Sequence, residues 1–523
     1  MFEYPYKENA KEFILYIAYD STQAKNDFKN YSIARLIDKT PATVIKNLEF
    51  GKKYKWCVET ILKNNDTLKS EINHFQIMTT VYNDSTLYRR RINYNNKKNI
   101  KDGVIWCDFT HCAFDRDGKL VWFMPEENEE YKESSRVRDL RFQKDGTITF
   151  IKNPGAYHTT INLENIWAAP LSGENIEYHQ HGYHHSLEKL KNGNYMVLAY
   201  DHVELEKTDI NDTITNRVEL VNLIEFNKNN EIVWMWQMRD KFPLDVLAIP
   251  NENNRGIINA HCNAFSIDKE NKYIYVCFRD ISRVIKIDRN TKEIVASYGK
   301  KLNKADSLVT ETEIFSYPHD AKILENNTMM ILNNNDFNKG KISSVEIFEL
   351  PSSTTRNLKS KWSFKFDFDS LNSGKSLKLG NVKQMDDGHL LINEGHSNRI
   401  VEITKDKKVL WDMMIYRKDV TKTKWANFGQ YRVDFSSSLY PYYFTYYYNS
   451  SKNEITIWNE GDYADSFIIY SYNDKKEVIE TIQTKKINCG KSHTFKLNNN
   501  YTSNKLIKIK SVVSEKEKIF TNK

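Results

Sequence analysis

The sequence predicts an all-β protein built around a six-bladed β-propeller, and three observations carry that prediction. The first is a recurring hairpin pattern: apolar–x–apolar, a polar turn, then an apolar pair ending in an aromatic. It occurs at Ala113–Trp122, Ile224–Trp234, Ile285–Tyr298 and Val401–Trp411, with the period-two alternation of paired strands around an Asp/Asn/Gly/Lys turn. The second is a histidine motif with an apolar residue five positions on, Asn or Asp at seven, then a strand. His185 leads into Asn194–Tyr200 and His319 into Thr328–Asn334, while Gly380 takes the histidine's place before His389–Gly395 and His261 opens a looser copy. The offsets 185→261, 261→319 and 319→380 are 76, 58 and 61 residues. At roughly 55–60 residues per repeat, residues 100–435 hold about six four-stranded units, and radial repetition leaves them no long open edge. The third is composition: 40% hydrophobic and 13% aromatic residues in 523 supply a large core, while 18 Gly and 10 Pro exclude a linker-dominated chain.

The flanks read differently. Residues 1–85, with Tyr54, Trp56 and Val58 alternating, predict a fibronectin type III-like β-sandwich. The polar, basic stretch 86–103 reads as a linker, with Arg89–Arg91 on a solvated face. Residues 104–435 form the propeller. Residues 436–523, with Tyr442–Asn449, Glu454–Glu460, Ser466–Tyr472 and Lys505–Val513 as strands, predict a C-terminal β-sandwich. Asp115–Gly118 resembles the start of a calcium loop but lacks the later ligands and reads as a turn.

The net charge of +7 is mild and dispersed. That excludes a nucleic-acid footprint and fits an anionic small substrate. No stretch has the ~18–20 apolar residues of a membrane helix, and the opening residues have neither the basic nor the apolar region of a signal peptide. The six cysteines lack any CxxC spacing and read as buried free thiols.

His185, His261 and His319 hold one repeat position just before first strands, so ring closure brings three imidazoles to one funnel. Arg279 ends the strand after His261 and adds a permanent planar cation for paired oxyanion atoms. Asn263 shares a strand face with His261 and can donate an amide hydrogen to the same anion. The alternation rule turns His184 away from His185 and Asp320 away from His319, so another group must hold the His319 ring. Tyr183 and Tyr317 are candidates for stacking on an aromatic substrate. His179 and His181 extend a histidine-rich run that fits no zinc signature, so no metal and no cofactor is assigned. No serine elbow, P-loop or dinucleotide fingerprint appears.

The segments His184–Tyr200, Ile258–Val295, Tyr317–Asn335 and Gly380–Trp411, in that order, together resemble the bacterial arylsulfate sulfotransferases over roughly residues 100–435. The resemblance implies a six-bladed propeller with an extra N-terminal β-domain. It also implies sulfuryl transfer from a phenolic sulfate ester to a phenol, without a nucleotide donor, by a ping-pong route through a sulfohistidine. Carried over, His319 is the nucleophile, and His185, His261, Asn263 and Arg279 bind the sulfuryl oxygens or handle the phenolic proton. The family's last-blade threonine has no clear counterpart, the match falling around Gly380 and Asn381. The family's exported members imply a periplasmic or secreted setting. The expected partners are a phenolic sulfate donor and a phenol acceptor, with sandwich edges open to a homodimer. The competing readings are a non-catalytic propeller that holds a sulfated or anionic ligand, and a metal-dependent enzyme using the His179–His185 run.

Overall fold

The structure, a computed structural model, describes all residues except 22–27, 31, 47, 126–135, 172–181, 205–216, 243–256, 302–307, 336–338, 352–357, 420, 474, 499–505 and 522–523. The chain divides into two compact units, Asp84–Phe142 with Thr147–Ser436, and Met1–Asn83 with Gln143–Gly146 and Ser437–Lys523. Both are nearly all β; the one α-helix among the described residues is the four-residue Met238–Lys241.

The larger unit is propeller-like, with six mainly antiparallel sheets laid down in chain order; Ile257–Asn259 in the third and Val309–Glu311 in the fourth add a parallel pairing. The hairpins read from the sequence lie inside them: Ala113 pairs with Trp122, Glu225 with Trp234, Lys286 with Ala296 and Glu402 with Trp411. The Asp115–Gly118 stretch shows why they turn. Asp115 Oδ1 accepts the N–H groups of Asp117 and Lys119, each at 2.9 Å, and Gly118 supplies a left-handed residue at φ +77°. The second, third, fourth and fifth sheets begin with the strands Val137–Phe142, Tyr183–Lys189, Cys262–Ile267 and Pro318–Ile323, and the sixth with Asn381–Gln384. The first sheet is completed by a distant strand, Val433–Ser436, which pairs with Val104–Cys107.

Consecutive sheets share apolar clusters. Met196, Leu198 and Leu223 of the third pack with Phe265, Ile274 and Val276 of the fourth. Tyr275 and Cys277 pack with Met329 and Ile331 of the fifth, and Met330 and Leu332 with Leu390 and Ile392 of the sixth. Each such side chain contributes about 1.5–3 kcal/mol of burial. At the join of first and last sheets, Trp411 Nε1 donates to the Arg116 carbonyl at 2.8 Å.

The stretch read as a linker is partly a strand. Tyr88–Asn95 lies antiparallel to Val409–Lys418 in the sixth sheet. The arginine run is split by the pleat: Arg89 and Arg91 are exposed, while Arg90 turns inward. Its guanidinium lies 5.3 Å from the Phe114 ring and its Nε donates to the Gly118 carbonyl at 3.1 Å. An arginine whose stem and plane are covered reads as solvated in sequence because only partner strands reveal the cover.

In the smaller unit, Ser32–Asp38, Ala10–Tyr19 and Lys53–Leu62 form one sheet, which Thr67–Lys69 and Asn73–Gln76 extend. Tyr54 and Val58 point into a cluster with Phe13, Leu15 and Ile17. In the C-terminal segment, Phe444, Ile455 and Ile457 of one sheet share a core with Phe467, Ile469, Ile507 and Ile509 of another. Five cysteines are buried and Cys489 is exposed.

Candidate active site

The first strands of the second to fifth sheets are each interrupted by a bulge, between Arg138 and Arg141, His184 and Leu187, Cys262 and Ala264, and His319 and Lys322. Around these breaks Asp139, His185, His261 and Asp320 take left-handed backbone at φ +55°, +57°, +52° and +50°. For residues other than glycine that conformation costs roughly 1–3 kcal/mol each and recurs at functional sites. The bulge re-aims side chains that a flat strand would send to alternate faces.

His185, His261 and His319 meet as a result. The His185 and His261 ring centroids are 5.0 Å apart. Tyr431 closes the group, 5.5 Å from His185 and 6.5 Å from His319. Burial, neighbouring imidazoles and nearby guanidinium groups all disfavour protonation. His319 is pushed down to about 3, first by desolvation and then by Arg279. His185 and His261 fall well below the ordinary imidazole value, with desolvation the largest cause. At neutral pH these rings are therefore neutral and carry lone pairs.

His319 is oriented through Nε2. Its Nε2 accepts the Leu379 N–H at 3.3 Å, which puts the lone pair on Nε2 and the proton on Nδ1. Asn334 stands beside the ring and favours a proton there, while its own Nδ2 donates to the Leu379 carbonyl at 3.2 Å. The Leu379 N–H is thus the holding group that the sequence reading leaves open, with Asn334 a polar neighbour of the ring; Asp320 bonds elsewhere.

The positive charge comes from two directions. Arg279 gives Nε to Asp280 at 2.6 Å and acts on both His261 and His319. Arg138 acts on His184, His185 and His261. Arg432 pairs with both Asp139 of the second sheet (2.8 Å) and Asp320 of the fifth. Asp108 fixes this segment by accepting four main-chain N–H groups, from Phe109, Asp139, Tyr431 and Arg432, at 2.7–3.1 Å. Burial pushes its carboxyl up to about 8, against the pull of those donors.

The Arylsulfotransferase (ASST) family profile matches residues 95–361, about half of the chain. The chain belongs to the arylsulfotransferase family. Membership implies a transferase acting on small molecules. A search of curated proteins finds no match. Among solved structures, a protein of unknown function from Bacteroides caccae is 14% identical, covering 64% of this chain and 99% of its own, with a TM-score of 0.40. A virginiamycin B lyase from Staphylococcus aureus is 11% identical, covering 62% of this chain and 88% of its own, with a TM-score of 0.32. Among the described residues no helix is long and apolar enough to cross a membrane.

Within this arylsulfotransferase the structure brings His185, His261, His319 and Arg279 together and relocates other sequence candidates. Asn263 gives one amide hydrogen of Nδ2 to the Pro318 carbonyl at 2.9 Å. Its own carbonyl accepts the Tyr431 hydroxyl, so it laces the fourth sheet to the strand bearing His319. Tyr183 is fully buried in an apolar cluster, and its hydroxyl donates to the Pro170 carbonyl at 2.6 Å; it is a core residue and not a substrate platform. Tyr317, two residues before His319 as Tyr183 is before His185, is half-buried at φ +48°. His184 does not point away from His185, because the left-handed turn at His185 folds the two rings together. His179 and His181 lie outside the described residues.

Sequence reasoning missed Arg138, Tyr431 and Arg432. The first carried a signal, since Arg138-Asp139-Leu140-Arg141 repeats the His319-Asp320-Ala321-Lys322 pattern of an Asp followed by an apolar and a basic residue. Tyr431 and Arg432 carried none, being delivered by the strand that completes the first sheet. A cavity of about 1260 Å³ lies at the far ends of the same first strands, lined by Glu188, Asn192, Asp268, Ile323 and Gln384. It is separate from the imidazole group.

Proposed function

We propose that this arylsulfotransferase moves a sulfuryl group from a phenolic sulfate ester to a phenol, without a nucleotide donor, by a ping-pong reaction through sulfated His319. The observation that carries this reading is the His319 imidazole: neutral, held at Nε2 by the Leu379 N–H, and set beside two other imidazoles and Arg279. A neutral Nε2 attacks sulfur, the bond from sulfur to the phenolic oxygen breaks, and the acceptor phenol reverses the step. As in loose phosphoryl transfer, positioning and charge stabilisation do most of the work. Arg279, His261 and Arg138 face the sulfuryl oxygens, the Leu379 N–H is released to one of them as Nε2 turns to sulfur, and His185 handles the phenolic proton. Tyr317 is the platform left for the phenol ring. The six sheets are read as the blades of a six-bladed propeller over residues 104–435. The flanks 1–85 and 436–523 are read as a fibronectin type III-like sandwich and a second sandwich.

The test is incubation with p-nitrophenyl sulfate, with and without a phenol, followed by mass spectrometry of the quenched protein. Nitrophenol release, and a sulfuryl adduct on the peptide carrying His319, are the expected results. His319→Ala should lower turnover by roughly a thousandfold or more while circular dichroism is unchanged. Near-normal turnover of that variant, or an adduct on another histidine, overturns the assignment.

A further inference from the structure

His184 and His185 are consecutive, yet their rings touch. The left-handed backbone at His185 brings the two Nδ1 atoms to 2.6 Å, with the ring planes at 89°. A nitrogen–nitrogen contact of that length needs one hydrogen between the rings, donated by one and accepted by the other. The two Nε2 atoms then have different surroundings. The His184 ring is buried, 4.1 Å from the Tyr200 ring and beside the Ala199 main chain. The His185 ring is half-buried and meets His261 and Tyr431 edge-on. The His185 ring thus lies against the imidazole group, and the His184 ring against Tyr200.

We propose that His184 and His185 form one proton-holding couple, which takes up a proton as the sulfate ester binds and passes it through His185 Nε2 to the leaving phenolate. This rests on sulfuryl transfer through His319. The bookkeeping requires a third proton. A neutral couple holds two protons on four ring nitrogens, and losing one of these would leave an imidazolide. The bound ester brings the negative charge that lets the couple take a third from solvent. In the first half-reaction the S–O bond breaks with its electron pair on the phenolate oxygen, the Nε2–S bond forms on His319, and the third proton moves from His185 to that oxygen. In the second half the acceptor hydroxyl gives its proton to His185 Nε2 and its oxygen bonds to sulfur. The N–S pair then returns to His319, and the couple again holds three protons.

The second ring has a physical reason. Arg138, His261 and His319 face His185 and oppose its charging, and His184 stands near Arg138 as well, with Tyr200 and Tyr431 as the remaining titratable neighbours. A lone imidazole there stays neutral. A second ring in hydrogen-bonding contact spreads the incoming charge across an ionised hydrogen bond, which is stronger than a neutral one. His184 is therefore a positioning residue that acts through His185.

The full chain, labelled with nitrogen-15 histidine, should show a far-downfield imidazole N–H resonance that persists in His319→Ala and disappears in both His184→Gln and His185→Gln. Its absence from the unsubstituted protein overturns the couple. In single-turnover experiments, His184→Gln should slow the first half-reaction of phenyl sulfate at least about tenfold more than that of p-nitrophenyl sulfate, whose phenolate leaves without a proton. Equal slowing of both donors means that His184 only packs, and it overturns the proposal; His184→Asn replaces the variant if Gln does not fold. If the unsubstituted protein keeps the resonance but releases no nitrophenol, sulfuryl transfer itself is wrong and the couple's role falls with it.

Discussion

The first strands of the second and fifth sheets run through the same bulge with different chemistry at its start. Arg138-Asp139-Leu140-Arg141 stands in one and His319-Asp320-Ala321-Lys322 in the other. In each, the Asp is left-handed and accepts a main-chain N–H of the following sheet, Leu187 at 2.7 Å or Val382 at 3.0 Å. In each it pairs with the cation two residues on, Arg141 at 2.8 Å or Lys322 at 2.9 Å, and takes one side of Arg432. The third and fourth positions keep their character, apolar then basic, and the first changes it: a guanidinium that acts on the imidazoles against an imidazole that can attack. The bulge is thus a mount. Its Asp is committed to holding sheets together, and the residue before it is left to carry function.

If the two Asp residues are one structural device held by Arg432, the largest effect comes from cutting it. Arg432→Met leaves two buried carboxylates without their shared cation and should cost about 3–5 kcal/mol, read by urea denaturation. Adding Asp139→Asn and Asp320→Asn should restore part of that loss. A neutral Arg432→Met would separate the second sheet from the fifth and remove the basis of the comparison.

The first position should behave differently. Arg138→Gln removes a cation from the anion site while sparing the Asp139 contacts. It should lower kcat/KM for aryl sulfates by roughly ten- to a hundredfold, mostly through KM, in line with about 1.5–3 kcal/mol for a charged hydrogen bond. Stability should change little. A large stability loss with an unchanged KM would make Arg138 a structural residue like its neighbour.

The difference between positions also explains what the sequence could show. The hairpins were legible because their turns are local: Asp115 and Gly118 act within four residues. The convergence of His185, His261 and His319 was legible because a repeat position maps to one place on a closed ring. The relation of His184 to His185 was not, because alternation holds only for flat strands and a bulge leaves no mark in residue type. Asn263 offers the same amide hydrogens to a ligand or to the Pro318 carbonyl, so its type could not decide between them. Tyr183 and Tyr317 have the same spacing from a histidine, yet only the first is sealed by Pro170 and the third-sheet core. Arg432 is 112 residues from Asp320, its closest partner in sequence among the two that it bridges, and no local pattern announces it.

Proton linkage sharpens the comparison with the smallest expected effect. His319 is held near 3 in the fold and returns to about 6.5 when unfolded. Between those values the unfolded chain holds a proton that the folded chain lacks, so stability present above pH 6.5 is lost as pH falls toward 3. His184, also near 3, and His111, near 4, add losses of the same sign. Asp108 and Glu394, both raised to about 8, work the other way, since the fold holds their protons between pH 8 and about 4. Stability should therefore peak near pH 6.5 and fall below it. His319→Gln should flatten that fall by about 1.4 kcal/mol per pH unit between pH 4 and 6, the value of one proton. Arg138→Gln, at the equivalent position, removes no titrating proton in this range and should leave the slope largely intact. Denaturation curves at pH 4.5 and 6.0 decide it: if His319→Gln keeps the full slope, the ring titrates normally in the fold, and the neutral imidazole on which attack at sulfur depends is not a product of its burial.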